Sequence, residues 1–382
     1  MNGRPVRTLF VVPDLMVGGA ERHVTTLLPR LDPQRFSASV VCIDEEGGLF
    51  GDLVDAGIDA QALHLGSKRQ AATALGKLVT VMRRQQPDVV FVRGYNAEAL
   101  GRIAARAAGV QHTVVWVHNI TDLRPRTALH ARLDRALDRY TSAYFGVAEA
   151  QRGYMRDHLR YPDEKIRIIL NGVDPGLFDP RADRGALDEF GFGDADPVVG
   201  IVAELSPIKD HQTLLRAARL VVDRLPTARF LVIGDGACRG ELERLSAELD
   251  LDANVRFTGV RRDVPRLLAA LDVFTLSSLS ECFSIALLEA MACGRPAVCT
   301  AVGATAEILD DGRTGYLVPP SDPRRLASRL IKMLSEPQTA RRMGRAGRIR
   351  VETEFTLDRS VEAAQRAIED VVMGQYVPIG RG

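Results

Sequence analysis

The sequence predicts an α/β protein of two Rossmann-like, doubly wound parallel-sheet domains facing a central cleft. Three observations carry this. The chain has 382 residues, beyond the size at which one hydrophobic core usually stops growing. Short runs rich in Val, Ile and Phe alternate with helix-length segments, the pattern of repeated strand-helix units around a parallel sheet. After a stretch scattered with Pro, Gly and Asp, the same alternation starts again.

The first series of strands reads as Thr8 to Pro13, Ala38 to Ile43, Asp88 to Val92, Thr113 to His118 and Ala143 to Val147, closed by Lys165 to Val173. These define an N-terminal domain over residues 1–176. Residues 177–196 are the best linker. The second series is Val198 to Ala203, Arg229 to Ile233, Val255 to Thr258, Val273 to Leu276, Ala297 to Thr300 and Tyr316 to Val318. It defines a C-terminal domain of the same architecture over 197–355. A final helical segment, about 356–376, is expected to pack back on the first domain. There is no tandem repeat, so a solenoid is not expected.

Composition narrows the function. Hydrophobic residues at 46% and charged residues at 26% are ordinary for a soluble protein, and no apolar stretch approaches the roughly 20 residues that span a bilayer. The N-terminus runs straight into a strand-like segment with no secretory pattern, which predicts a cytoplasmic location. The five cysteines are odd in number and lack C-x-x-C spacing, arguing against a disulfide framework or thiolate metal site. A formal charge of +1 provides no global attraction for nucleic acid. Any anionic ligand must be met locally.

The most informative stretch is Ser280-Glu281-Cys282-Phe283-Ser284, running into Ile285-Ala286-Leu287-Leu288-Glu289-Ala290-Met291-Ala292-Cys293-Gly294-Arg295-Pro296. It is a polar loop entering an apolar helix that stops at Gly294 and Pro296. Free N–H groups near Ser284 favour an anion or a sugar hydroxyl. Glu281 lies just upstream, and Glu289, one to two turns inside, leans towards the helix start. Carboxylates accept well from vicinal hydroxyls, but on spacing alone Glu289 could equally be a surface residue.

Here the chain resembles the retaining glycosyltransferase family 4, of GT-B fold. Its signature is two glutamates separated by seven residues followed by Ala-Met-Ala-x-Gly-x-Pro, and Glu281 to Pro296 reproduces it. The likeness continues through Thr258-Gly259, Asp263-Val264, Glu307 and Asp311 to Gly315, and more weakly through Gly18-Gly19-Ala20-Glu21 and Asn171 to Asp174. The resemblance implies that Glu281 contacts donor-sugar hydroxyls with the amides of Cys282, Phe283 and Ser284, and that Glu289 binds the ribose. It implies that Lys209 meets the diphosphate, that the Gly18-Gly19 loop covers the phosphates, and that His118 lies near the donor sugar. Gly234 sits in a close-approach loop, and Arg261 lies where relatives hold the base mainly through backbone atoms.

Two departures matter. Many relatives carry an arginine where this chain has Glu204, and a carboxylate about 5 Å from a phosphate charge would cost about 3 kcal/mol at an effective dielectric near 20. Glu204 is expected to point away or to pair with Arg261 or Arg262; otherwise it weakens donor binding. Cys282 replaces a common glycine and would narrow the sugar pocket.

In the segment Leu129 to Tyr140, arginines 132, 135 and 139 interleave with Asp134 and Asp138, which reads as a salt-bridged surface with peripheral membrane association as the secondary reading. The expected activity is transfer of a sugar from a nucleoside-diphosphate-sugar, a co-substrate, to an acceptor hydroxyl with retention. The acceptor would be a glycan, a glycolipid or a small metabolite. Neither a metal nor another cofactor is expected. Two other classes stay open: a non-catalytic nucleotide-sugar-binding subunit, hinted at by Glu204, and a nicotinamide-dependent oxidoreductase, disfavoured by the missing G-x-G-x-x-G after the first strand.

Overall fold

Seven parallel strands form one sheet and six form another in this computed structural model, which describes residues 4–16, 18–65, 70–120, 128–181 and 184–374. The chain divides into two compact units, Met1–Asn171 with Ser360–Gly382, and Gly172–Arg359.

In the first unit the strands are β1 (Val6–Val12), β2 (Phe36–Cys42), β3 (Asp59–Ala62), β4 (Val89–Val92), β5 (His112–Trp116), β6 (Ala143–Gly146) and β7 (Ile166–Ile168). Their order is β3-β2-β1-β4-β5-β6-β7. The central strands read as nearly unbroken apolar runs because helices cover both faces of a parallel sheet. Phe10 of β1 is in register with Val40 and Phe91, and its ring stacks on Phe91 at 4.5 Å between centroids. Leu9 and Val11 point into the core on the other face. Strand β3, with the sequence Asp-Ala-Gln-Ala, has no apolar signal and was not anticipated; it is an edge strand held by backbone pairing to β2. The C-terminal helix Leu357–Met373 continues into this unit, where Gln365 Oε1 accepts from the Asp32 N–H at 2.7 Å.

In the second unit the strands are β8 (Val198–Val202), β9 (Arg229–Ile233), β10 (Val255–Gly259), β11 (Val273–Leu276), β12 (Ala297–Thr300) and β13 (Gly315–Val318), ordered β10-β9-β8-β11-β12-β13. The order reverses between β8 and β11. In open α/β sheets the crevice beyond the carboxyl ends of such a pair is where ligands bind. The stretch expected to be a linker, 177–196, is part of this unit. Phe178, Ala186, Leu187 and Phe192 are buried, and Arg184 donates to the carbonyls of Ala270 and Asp196.

Candidate active site

Three loops of the second unit meet beyond the carboxyl ends of β8, β11 and β12. The loop after β11 holds Ser277 and Ser278, both fully buried. Ser277 Oγ donates to the Lys209 carbonyl at 2.9 Å, and the Leu279 N–H to the Ile208 carbonyl at 2.8 Å, joining it to the loop after β8. Thr300 Oγ1 donates to the Ser278 carbonyl at 2.7 Å, bringing in the loop after β12. There Gly303 adopts φ +53°, and a Cβ on it would lie 1.6 Å from the Glu281 carbonyl oxygen. Only glycine lets the two backbones approach so closely.

Glu281 is the focus of these loops. Its Oε1 accepts from Lys209 Nζ at 2.7 Å and from Ser278 Oγ at 2.7 Å, and its side chain is 7% exposed. A buried carboxylate is tolerable only when paired and hydrogen-bonded. Ser284 is the N-cap of the helix Ile285–Ala292, its hydroxyl accepting from the Leu287 N–H at 3.3 Å. The polar loop, the cap and the helix start therefore fall where the sequence places them. Glu289 is buried in that helix, which removes the surface reading. Cys282 is partly buried, and burial beside Glu281 and Glu307 pushes its thiol well above the ordinary range. It stays a neutral thiol.

Two other residues have structural duties. Gly234, at φ +139°, is where a Cβ would meet the Ala203 carbonyl oxygen at 2.0 Å, so its close approach is to the chain's own backbone. Arg261 forks onto Glu189 at 2.9 and 2.8 Å and onto Asp263 at 2.8 Å, tying the loop after β10 to the segment Arg184–Phe190. This rules out Arg261 as one of the two bases expected to pair with Glu204, because the guanidinium is already bound to two carboxylates. Glu204 itself is exposed.

In the first unit, Gly18 caps the helix Gly19–Leu27 at the carboxyl end of β1, and a Cβ on it would meet Glu21 Oε2 at 2.3 Å. Gly19 faces open space. Glu21 binds Arg93, which follows β4, at 2.7 Å. His118 lies two residues beyond β5 rather than ending it. Its Nδ1 is 3.2 Å from the Trp116 carbonyl and its Nε2 3.1 Å from His23 Nδ1. The carbonyl requires a proton on His118 Nδ1, so Nε2 accepts from His23 Nδ1–H. Burial, then the neighbouring Arg93, lowers His23 to about 3; burial, then His23 and Arg93, holds His118 well below its ordinary value. Both rings are neutral. The sequence reading missed His23 and Arg93, although His23 falls on the buried stripe of its helix with Val24 and Leu27.

In the segment Leu129 to Tyr140, Asp134 pairs with Arg102 and Asp138 with Lys165, so both acids are salt-bridged and tie the segment to neighbouring elements. The side chain of Leu129 lies outside the described residues.

The profile described as "Glycosyl transferases group 1" matches residues 196–336, and that described as "Glycosyltransferase Family 4" matches residues 17–177. EpsD of Bacillus subtilis (strain 168), provisionally named a glycosyltransferase, is 31% identical over 297 residues, covering 75% of this chain and 77% of that one. The chain belongs to the group 1 glycosyltransferases.

A further relative of this glycosyltransferase, the UDP-Gal:alpha-D-GlcNAc-diphosphoundecaprenol alpha-1,3-galactosyltransferase of Escherichia coli, is 24% identical over 376 residues, covering 94% and 96% of the two chains. HepE from Anabaena, solved with UDP and glucose, superposes with a TM-score of 0.85 at 23% identity, covering 96% of this chain and all of its own. The two parallel-sheet units are therefore those of a GT-B glycosyltransferase. Within the second unit, Lys209, Glu281 and the capped start of the Ser284 helix are brought together; Gly234 and Arg261 serve the fold beside them.

Proposed function

We propose that this glycosyltransferase moves a hexose from a nucleoside-diphosphate-sugar, UDP-linked before GDP-linked, to an acceptor hydroxyl with the anomeric configuration retained. One observation carries the reading: a buried carboxylate and an ammonium meet at the topological switch point, beside the start of a serine-capped helix. That is the chemistry needed to hold sugar hydroxyls on one side and a diphosphate on the other.

In the proposed reaction the donor's diphosphate draws the Lys209 ammonium, leaving Glu281 to accept from sugar hydroxyls. Glu289 accepts from the ribose. The bond from the anomeric carbon to the phosphate oxygen breaks while the acceptor oxygen bonds on the same face, and the acceptor proton passes to the departing phosphate. Lys209 stabilises the charge growing there. The protein supplies position and electrostatics, so no metal is required. The HepE complexes with UDP and the lipid-diphosphate substrate named for the Escherichia coli relative support a UDP-sugar donor and a glycan or glycolipid acceptor. A cytoplasmic site of action fits such a donor; no helix among the described residues is long and apolar enough to cross a membrane.

The test is a thermal-shift screen over UDP-, GDP- and ADP-sugars, followed by product NMR with the best donor, with and without EDTA. A donor that binds the folded state raises its melting temperature by mass action. Stabilisation by a UDP-sugar, an axial-to-axial outcome for an α-linked donor and indifference to EDTA are expected. No shift with any nucleotide sugar, or an inverted product, would sink the reading.

A further inference from the structure

The chain as a whole is nearly neutral, but one part of its surface is not. Between residues 323 and 349 there are eight basic side chains and one acidic one, Glu336. They lie on two consecutive helices of the second unit, Pro323–Ser335 and Pro337–Glu354, which pack against each other. Each helix buries one stripe. Leu326, Ala327, Leu330 and Met333 face inward on the first, and Ala340, Met343, Gly347 and Val351 on the second.

The cations occupy the opposite faces. At 100° per residue, Arg324, Arg325 and Lys332 fall within about 100° of arc on the first helix, and Arg341, Arg342 and Arg345 within about the same arc on the second. All six are exposed, and among the described residues none of them makes a side-chain ion pair. Arg348 is bound to Glu352 and Arg350 to Glu354, which leaves those two outside the set. Arg329 lies over the Tyr316 ring at 4.6 Å, extending the patch onto the edge strand β13. Ile349, 60% exposed, falls within the arc of the second helix's arginines.

We infer that this double-helix face docks the protein onto an anionic phospholipid surface. The six unpaired cations outnumber the acids on this face, Glu336 and the Arg348-paired Glu352. Guanidinium forks in such a cluster match phosphodiester headgroups, which accept in pairs, and an exposed apolar side chain among them can enter the boundary between headgroups and acyl chains. A single-stranded nucleic acid fits less well, because such binders stack bases on exposed aromatic rings in a groove. Here the faces are the outward sides of helices, and the Tyr316 ring lies beneath Arg329 and Lys332. The inference does not depend on the identity of donor or acceptor.

The experiment is co-sedimentation of the full chain with phosphatidylglycerol-containing vesicles, with pure phosphatidylcholine vesicles as reference, at low and high salt. Wild type is expected to bind the anionic vesicles, to release at high salt and to ignore the zwitterionic ones. Replacing Arg324, Arg325, Arg341, Arg342 and Arg345 together by Gln is expected to weaken binding at least about tenfold, since each cation near a charged leaflet contributes separately. If that variant fails to fold, R341Q/R345Q should still lower binding and flatten its salt dependence. The control variant R132Q/R135Q/R139Q is expected to bind like wild type. Equal binding by the Gln variants, loss confined to the control, or wild-type binding to single-stranded RNA without vesicle binding would overturn the inference.

Discussion

Lys209 Nζ and Glu281 Oε1 lie 2.7 Å apart, with the carboxylate almost wholly buried and the ammonium partly exposed. The pair joins the loops after β8 and β11, so it is part of the fold as well as of the site. Lys209→Met leaves a buried carboxylate with, among the described residues, only the Ser278 hydroxyl as a side-chain partner. It is expected to cost about 1–2 kcal/mol, less than a fully buried pair because water reaches the lysine. Glu281→Gln keeps an acceptor for Ser278 and is expected to cost less. Urea unfolding measures both, and sugar transfer is expected to fall by about a hundredfold or more in each.

Gly303→Ala is expected to be among the most damaging single substitutions in the second unit. Its φ of +53° disfavours any Cβ, and the added carbon would collide with the Glu281 carbonyl. No side-chain rotation relieves that clash, because the atom met belongs to the backbone. A loss of about 3 kcal/mol or more is expected, read as a large drop in melting temperature.

The buried histidines make stability depend on pH. Burial lowers His23 to about 3 and His211 to about 4, and holds His118 well below its ordinary 6.5. The unfolded chain therefore binds protons below about pH 6.5 that the folded chain refuses, so stability is full above that pH and falls as the pH drops towards 4. Each ring contributes a slope of about 1 kcal/mol per pH unit in that window. Urea unfolding at pH 7, 6 and 5 checks this. His211→Gln is expected to show the shallower loss, and an equally steep loss would rule out the assignment.

Arg261→Ala removes two forked ion pairs and is expected to destabilise the second unit by about 1 kcal/mol, since the pairs are partly exposed. Donor affinity measured by calorimetry on the folded variant is expected to stay within about threefold of wild type. A much larger loss would mean that the guanidinium itself reaches the nucleotide.

Burial keeps Cys282 protonated at neutral pH, and a thiol is a poor nucleophile. Iodoacetamide is expected to label it far more slowly than a free cysteine peptide. Mass spectrometry of the native protein reads the rate.

Much of this was legible along the chain. The alternation of apolar runs marks twelve of the thirteen strands, because strands covered on both faces must be apolar throughout. Strand β3 escaped because an edge strand paired through its backbone needs no such signal. The helix beginning after Ser284 was visible from its cap and its Gly-x-Pro end, and Glu281 and Glu289 from their place around it. What the 177–196 stretch does was not visible, since its buried residues are few and scattered.

By itself the amino-acid sequence determined the two-sheet architecture, the family and the residues of the signature, because these depend on local periodicity and on motifs that are contiguous. Only the tertiary structure decided that Lys209 binds Glu281, that Arg261 is bound by Glu189, and that His118 is held by His23. Each of those pairs joins residues more than seventy positions apart. Their partnership is set by which loops the sheet order brings side by side, and no local pattern records that.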